Sequence, residues 1–556
     1  MTQPTPAIVA QSAVQQLPRW ILLLLCLVYI LAGFVGRAPW KADDIESFGY
    51  MLALVNGDVA SWLQPQWLGM PDWDRAPLTY WLGALSMQWL PQPLWPLAAR
   101  LPFMLLLALT LCATWYAAYA LARDPGAQPV RFAFGGEARP ADYARAVADG
   151  ALLALLASLG LARLSHEITP ALGQLAFGSL LLYGLAVLDR QRWMALMSMG
   201  AGSMGMSLSG APTPALLLAG GGLVLLALRA QRSAATRMRD IGLAALWLLI
   251  SVVLAGALDL WQWLLVPRDL GGWDSWIRLV LWFTWPCWPL ALWTLWRWRG
   301  QLGQVHQHLH LALPLWFVTV PLLGSAFSPS ADRALLSALP ALAILATLAL
   351  PTLRRSMAAL IDWFTLLFFS ICALIIWVIW LAMHTGWPAK PAANVARLAP
   401  GFEPVFSWPL TLMAAVATLA WLGLVRWRVG RHRSALWKSL ALPAGGAVLC
   451  WMLLMTLWLP LLDYARSYAP LVLRVREITG PTPCLQQAGL TRAQAAGLRW
   501  HGGYRIEAAG LPRNDCPWLL LEASTQYPLQ QGWIEHATVR RPASRDEDVV
   551  LYRASH

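Results

Sequence analysis

Thirteen apolar runs divide the chain: 18–36, 98–121, 148–163, 168–188, 193–209, 213–229, 241–266, 276–296, 309–326, 333–351, 359–383, 408–427 and 437–461. Most are about twenty residues long, enough for a helix to cross the hydrocarbon of a bilayer. None alternates apolar and polar positions as a barrel strand does, so they read as helices. Leu17 to Val35 has no small-residue cleavage site before Lys41 and reads as the first span, not a removed signal. Two polar intervals break the pattern. Segment 37–97 is a long loop whose part Pro77 to Leu90 is amphipathic and Trp-rich, which suits an interfacial helix. The tail holds short strand-like runs, Trp518 to Leu521 and Val549 to Tyr552, between Gly/Pro-rich turns, and reads as a small α/β domain. The expected architecture is an α-helical polytopic membrane protein with a transmembrane domain over 1–461 and a C-terminal domain over 462–556. No repeat of fixed period is visible.

Charge orients this pattern. The chain is 58% hydrophobic and 12% charged, with a net charge of +13. The excess sits in alternate short loops, among them Arg123 to Arg145, Arg190 and Arg192, Arg354 and Arg355, and Arg426 to Lys438. The opposite loops carry acids: Asp43, Asp44, Glu46, Asp72, Asp74, Glu167, Asp332 and Glu403. The positive-inside rule puts the Arg-rich side in the cytoplasm, and so the N-terminus too. An odd number of spans then places loop 37–97 and the tail on the outside. Topology accounts for the basic excess, so nucleic acid is not an expected partner. Five cysteines lie in apolar runs. Cys484 and Cys516 lie in the tail and read as one disulfide in an oxidising compartment. There is no CxxC pair, hence no zinc site of ordinary spacing.

Four polar groups carry candidate chemistry. Asp43, Asp44 and Glu46 follow the first span directly. They are either a solvated helix cap or a base or divalent-metal ligand set. Asp74-Arg75 precedes Ala-Pro-Leu-Thr-Tyr80-Trp81. This is either a loop entering an interfacial helix or a phosphate-binding Arg75. His166-Glu167 lies on a short outside turn and offers a second carboxylate with a possible His ligand, or only a polar turn. Asp332-Arg333 opens a span, where Arg333 either snorkels or meets a lipid phosphate. Neither GxxxxGK[ST] nor a GxGxxG after a strand occurs, so no nucleotide cofactor is expected and a donor used at the outer face has to be lipid-linked. Two rival readings are a lipid or sugar flippase, whose charges belong at mid-membrane in two related halves, and a non-catalytic scaffold with a binding tail.

The acidic pair after the first span, the Arg75-Ala-Pro-Leu-Thr-Tyr-Trp81 run and Arg100-Leu101-Pro102 together resemble the GT-C class of polyprenyl-phosphate-sugar glycosyltransferases. So do Trp285-Pro286-Cys287-Trp288-Pro289, Arg333-Ala-Leu-Leu-Ser-Ala-Leu-Pro340 and Pro460-Leu-Leu-Asp463-Tyr-Ala-Arg-Ser-Tyr468. The likeness is to the bacterial branch containing the aminoarabinose transferases of lipid A, relatives of the protein O-mannosyltransferases. The Ser209-Gly210-Ala211-Pro212 run lacks the Lys of the family's Thr-Lys-Gly-Pro run. The resemblance implies inversion at the anomeric carbon, an undecaprenyl-phosphate-sugar donor, and a lipid A or other cell-envelope glycan acceptor. It puts Asp43 or Asp44, with Glu167, in the catalytic role and Arg75, Arg333 and Tyr80 around the donor phosphate. A divalent metal ion on Asp44, Asp74, His166 and Glu167 completes the expectation.

Overall fold

The computed structural model describes residues 5–68, 70–72, 74–229, 234–262, 266, 268–429, 435–481, 484–509, 516–525, 527–528, 532–544 and 547–554. Each of the thirteen apolar runs carries a helix over most of its described residues; in run 241–266 the helix ends at Ala257, and residues 263–265 lie outside the described ones. In the first half the helices are α1 (Arg19–Phe34), α2 (Asp43–Asn56), α3 (Val59–Leu63), α4 (Pro77–Gln88), α5 (Trp95–Ala122), α6 (Pro140–Ala157), α7 (Leu159–Leu164), α8 (Pro170–Val187), α9 (Arg192–Leu208), α10 (Pro212–Leu228) and α11 (Ala234–Ala257). They continue as α12 (Leu270–Phe283), α13 (Cys287–Arg297), α14 (Arg299–Leu302), α15 (Leu309–Phe327), α16 (Ala331–Leu336), α17 (Leu339–Thr347), α18 (Arg355–Thr385), α19 (Ala389–Leu398), α20 (Trp408–Val429), α21 (Lys438–Leu457), α22 (Leu459–Arg466), α23 (Ala469–Thr479) and α24 (Arg492–Gly502). Among the described residues seven helices are long and apolar enough to cross a membrane, and Arg19–Phe34, Pro212–Leu228 and Leu339–Thr352 are shorter apolar ones.

Three expected spans are each broken in two: 148–163 after Ala157, 276–296 after Phe283 and 333–351 after Leu336. Two of these breaks repair each other. Pro286 has no amide to continue α12, and Ser158 turns extended after α6. The Leu159 amide then donates to the Trp285 carbonyl at 3.1 Å. The Cys287 thiol lies 3.3 Å from both the Ser158 hydroxyl and the Ala154 carbonyl. Backbone groups deep in a bundle need such internal partners, because lipid supplies none. A side chain at Gly160 would run into the Phe283 ring, so the two broken helices touch closely.

In loop 37–97, α2 and α4 pack under the bundle end, with a two-stranded hairpin of β1 (Gln66–Trp67) and β2 (Met70–Pro71) between them. The tail adds a five-stranded mixed sheet in the order β4-β3-β5-β7-β6, from β3 (Cys484–Ala488), β4 (Arg505–Ala508), β5 (Trp518–Glu522), β6 (Trp533–Arg540) and β7 (Asp548–Ala554). Strand β3 runs parallel to β4 and β5, while β7 runs antiparallel to β5 and β6. Cys484 and Cys516 form a disulfide, as their placement in the polar tail predicts. The tail shares one apolar core with loop 37–97: Phe48 meets Trp500 edge to face, and Gly49 lets α24 approach until a Cβ there would stand 2.9 Å from that of Ala496.

Candidate active site

Helix α2 starts with Asp43, Asp44 and Glu46 in its first turn, where carboxylates offset the unpaired amides of a helix start. Successive helical positions point roughly 100° apart, so the three acids face different neighbours. Asp44 points inward and is 1% exposed. One of its oxygens accepts from the Arg37 guanidinium and the Trp40 amide, both at 3.0 Å, and the other accepts from the Ile168 amide at 2.8 Å. The Arg100 guanidinium stands 3.8 Å away and donates to the Arg37 carbonyl. Arg37 also donates to the His166 carbonyl at 2.6 Å. A single carboxylate thus ties the end of α1, the first turn of α2, the start of α5 and the turn before α8. Removing one member of so buried a charge set leaves the others uncompensated, at a cost of about 3–5 kcal/mol.

Asp43 faces outward at the rim. Its side chain is 40% exposed and forms an ion pair with Arg333 of α16, and the neighbouring Asp332 pairs with Arg163 at 3.4 Å. Glu167 lies half-buried on the turn beside them. Burial, then the charge of Asp44, lift its carboxyl to about 7 against the pull of Arg37 and Arg466. Among the described residues the Glu167 carboxylate has no hydrogen bond or ion pair of its own. Arg466 sits 5.2 Å over the Trp40 ring, and the Trp40 indole donates to Asp463 at 2.6 Å.

His166 has both ring nitrogens against protein groups. Its Nε2 meets the Tyr29 carbonyl at 2.9 Å and its Nδ1 the Ser165 hydroxyl at 3.3 Å, while the ring stacks on Trp451 and lies against Gly33. Burial lowers it to about 3, which keeps it neutral.

The other acids gather on a second side of α2. Asp72 accepts from the Tyr80 hydroxyl and the Asp74 amide, both at 3.0 Å, and from the Ala76 amide at 2.8 Å, so it shapes the loop that carries Arg75. Tyr80 is buried and stacks on Tyr50. It supports that loop from beneath, with its hydroxyl given to Asp72. Asp74 lies in a recess that water reaches. The dense protein around it, then Asp72 and Glu46, push its carboxyl up to about 7. Glu46 is raised by burial and by Asp72 and lies 3.6 Å from Arg492 of the tail domain. Arg75, at φ 44°, pairs with Asp259 beyond α11 at 2.6 Å. The loop rests on Gly210, whose φ of 82° and missing side chain admit the Asp74 carbonyl.

The structure therefore joins Asp43, Asp44, Glu167 and Arg333 in one region and puts Asp74, Arg75 and Tyr80 in another. The four predicted metal ligands do not converge. Asp44 spends its oxygens on protein N–H groups, His166 spends both nitrogens, and Asp74 stands with Asp72 and Glu46. Among the described residues no three His, Cys, Asp or Glu side chains gather to hold a metal ion. Arg37, Arg100, Asp463 and Arg466 escaped assignment in the sequence. Arg100, Asp463 and Arg466 lie within the resembling runs, and Arg37 lies beside the acidic one. What could have found them is that each is a charge directly at the end of an apolar run.

No family model matches the chain, and no curated protein matches it significantly in sequence. The fold is nonetheless one found in solved membrane proteins, of the kind the sequence resemblance implied. Two crystal structures of ArnT from Cupriavidus metallidurans share it over 96% of this chain and 97% of theirs. The apo form is 16% identical with a TM-score of 0.62, and the form bound to undecaprenyl phosphate is 15% identical with a TM-score of 0.60.

Proposed function

We propose that the chain is an inverting glycosyltransferase that moves a sugar from undecaprenyl phosphate to a periplasmic acceptor, lipid A or another cell-envelope glycan. The observation that carries this reading is an uncommitted carboxyl near neutrality, Glu167, which feels the charge of Asp332, with the rim arginine next in the chain, Arg333, paired to Asp43, in a chain with the fold of ArnT. Glu167 takes the proton of the acceptor hydroxyl. The acceptor oxygen bonds to the anomeric carbon as the bond from that carbon to the phosphate oxygen breaks, and the electron pair leaves with the lipid phosphate. Arg333 exchanges Asp43 for the departing phosphate, whose growing charge its fork suits. Asp43 then lies free to orient the acceptor. Asp44 holds the site's elements together and does not touch substrate. No step runs through a metal.

The apolar cavity of about 310 Å³ beside the α6–α7 break, lined by Trp285, Phe364 and Phe368 among others, supports a place for the polyprenyl chain. The Arg-rich loops support an inner-membrane orientation with the N-terminus cytoplasmic and the tail periplasmic. Membranes containing the chain should pass label from a polyprenyl-phosphate sugar to an endogenous lipid or glycan, and Glu167→Gln should stop this. Undiminished transfer by that variant overturns the assignment. A tag at His556 cleaved only from the cytosolic side overturns the orientation.

A further inference from the structure

A second buried acid lies at the other end of the bundle. About 22 Å of α5 separates Arg100 from Trp115. There α1, α5 and α6 enclose a cavity of about 480 Å³, a size that suits a small ligand or a lipid headgroup. Asp149 of α6 lines it and is 2% exposed. One carboxylate oxygen accepts from the Trp115 indole at 2.9 Å. The other has no hydrogen-bond partner among the described residues, although the Leu17 amide faces the group. Arg19 and Arg145 also line the cavity, Arg19 exposed and Arg145 half-buried. Neither has a contact ion pair among the described residues. The remaining walls are aliphatic apart from Cys26, Cys112 and Tyr116, and Leu23, Leu27 and Tyr116 carry the cavity out onto the lipid-facing surface at 67%, 52% and 54% exposure.

An unpaired carboxylate oxygen inside an apolar bundle is costly and marks a functional position. The proposed transferase chemistry makes no use of it, since that chemistry sits at the opposite end. The surroundings define what would complete it: a cation with N–H donors at Asp149, an anion at the two arginines, and hydrocarbon beyond. We propose that this cavity seats the headgroup of a glycerophospholipid of the leaflet on the Arg-rich side, one with a primary ammonium next to its phosphate. The ammonium donates to the free oxygen of Asp149, the phosphate lies between Arg19 and Arg145, and the acyl chains follow Leu23, Leu27 and Tyr116. Basic pockets between helices on the cytoplasmic side are known seats for lipid phosphates. The buried acid adds selectivity: a choline headgroup cannot donate to it, and a glycerol headgroup brings no positive charge.

The test is native mass spectrometry of the full-length protein, released in mild detergent and offered phosphatidylethanolamine, phosphatidylcholine and phosphatidylglycerol in competition. Retention of phosphatidylethanolamine about tenfold above the other two is expected, as for one charged hydrogen bond. Asp149→Asn, isosteric with the carboxylate, should erase that preference. Arg145→Gln, at the half-buried mouth, should weaken all three lipids whatever Asp149→Asn does to folding. Equal retention of the three by the wild-type protein overturns the proposal. So does a preference that survives Asp149→Asn, or retention of all three unchanged by Arg145→Gln.

Discussion

Two sides of the first turn of α2 carry the same residue type with opposite outcomes. Toward α1, Asp44 meets Arg37, Arg100 and two backbone amides and is fully compensated. Toward the tail, Glu46 joins Asp72 and Asp74 around Arg492, and these carboxyls are raised. The contrast teaches that position on the helix sets only the direction of each acid. The charge brought by distant segments decides whether it is a fixed anion, a clamp or a group that holds a proton near neutrality. Glu167 lies between these cases: it feels Asp44 as well as Arg37 and Arg466, and among the described residues its carboxylate has no bond of its own.

The comparison can be broken by substitution. The largest effect is expected at Glu167. Glu167→Gln should lower transfer by about 10²–10⁴-fold, the range of a lost general base, read as label incorporation in membranes. In the wild type a base has to be ionised, so transfer should rise with pH through about 7 and fail in acid, and the pH profile checks this. Asp44→Asn comes next, at about 3–5 kcal/mol of stability, because Arg37 and Arg100 remain buried without their counter-charge. Detergent-solubilised protein should show this as a lower Tm even before activity is measured.

Arg333→Gln should cost about tenfold to a hundredfold in transfer with little change in Tm, since the Asp43 pair it breaks lies at the rim and surface pairs add about 0–1 kcal/mol. Equal losses in Tm for Arg333→Gln and Asp44→Asn would erase the distinction between rim and interior. Asp74→Asn tests the other side. A carboxyl raised from 3.8 to about 7 binds more protons folded than unfolded, so the stability it adds is present in acid and lost as pH climbs through that window. The variant should match wild type near pH 4 and have the higher Tm near pH 8. Tyr80→Phe should be the mildest, about 1 kcal/mol, the loss of one hydrogen bond to Asp72.

Much of this was legible in residues 18–461. Apolar runs of spanning length are a local property, so each of the thirteen carries a helix among its described residues. The breaks were less legible. Pro286 announced one of them, but Ser158 is an ordinary residue whose turn is stabilised by the Trp285 carbonyl of another helix. The acidic run was legible as a site near a span end, and the pairing of Cys484 with Cys516 followed from their compartment.

What the sequence determined by itself was whatever depends on neighbours in the chain: which segments are apolar, which side collects arginine, and where carboxylates stand beside a span. The roles of those carboxylates depend on Coulomb interactions over a few ångströms between residues far apart in sequence. Only the tertiary structure set Arg100 against Asp44, Arg333 against Asp43 and Arg492 against Glu46. It thereby turned Asp44 inward as the tie of four segments, left Glu167 as the free carboxyl, and sent Asp74 and Tyr80 to a different side of the same helix.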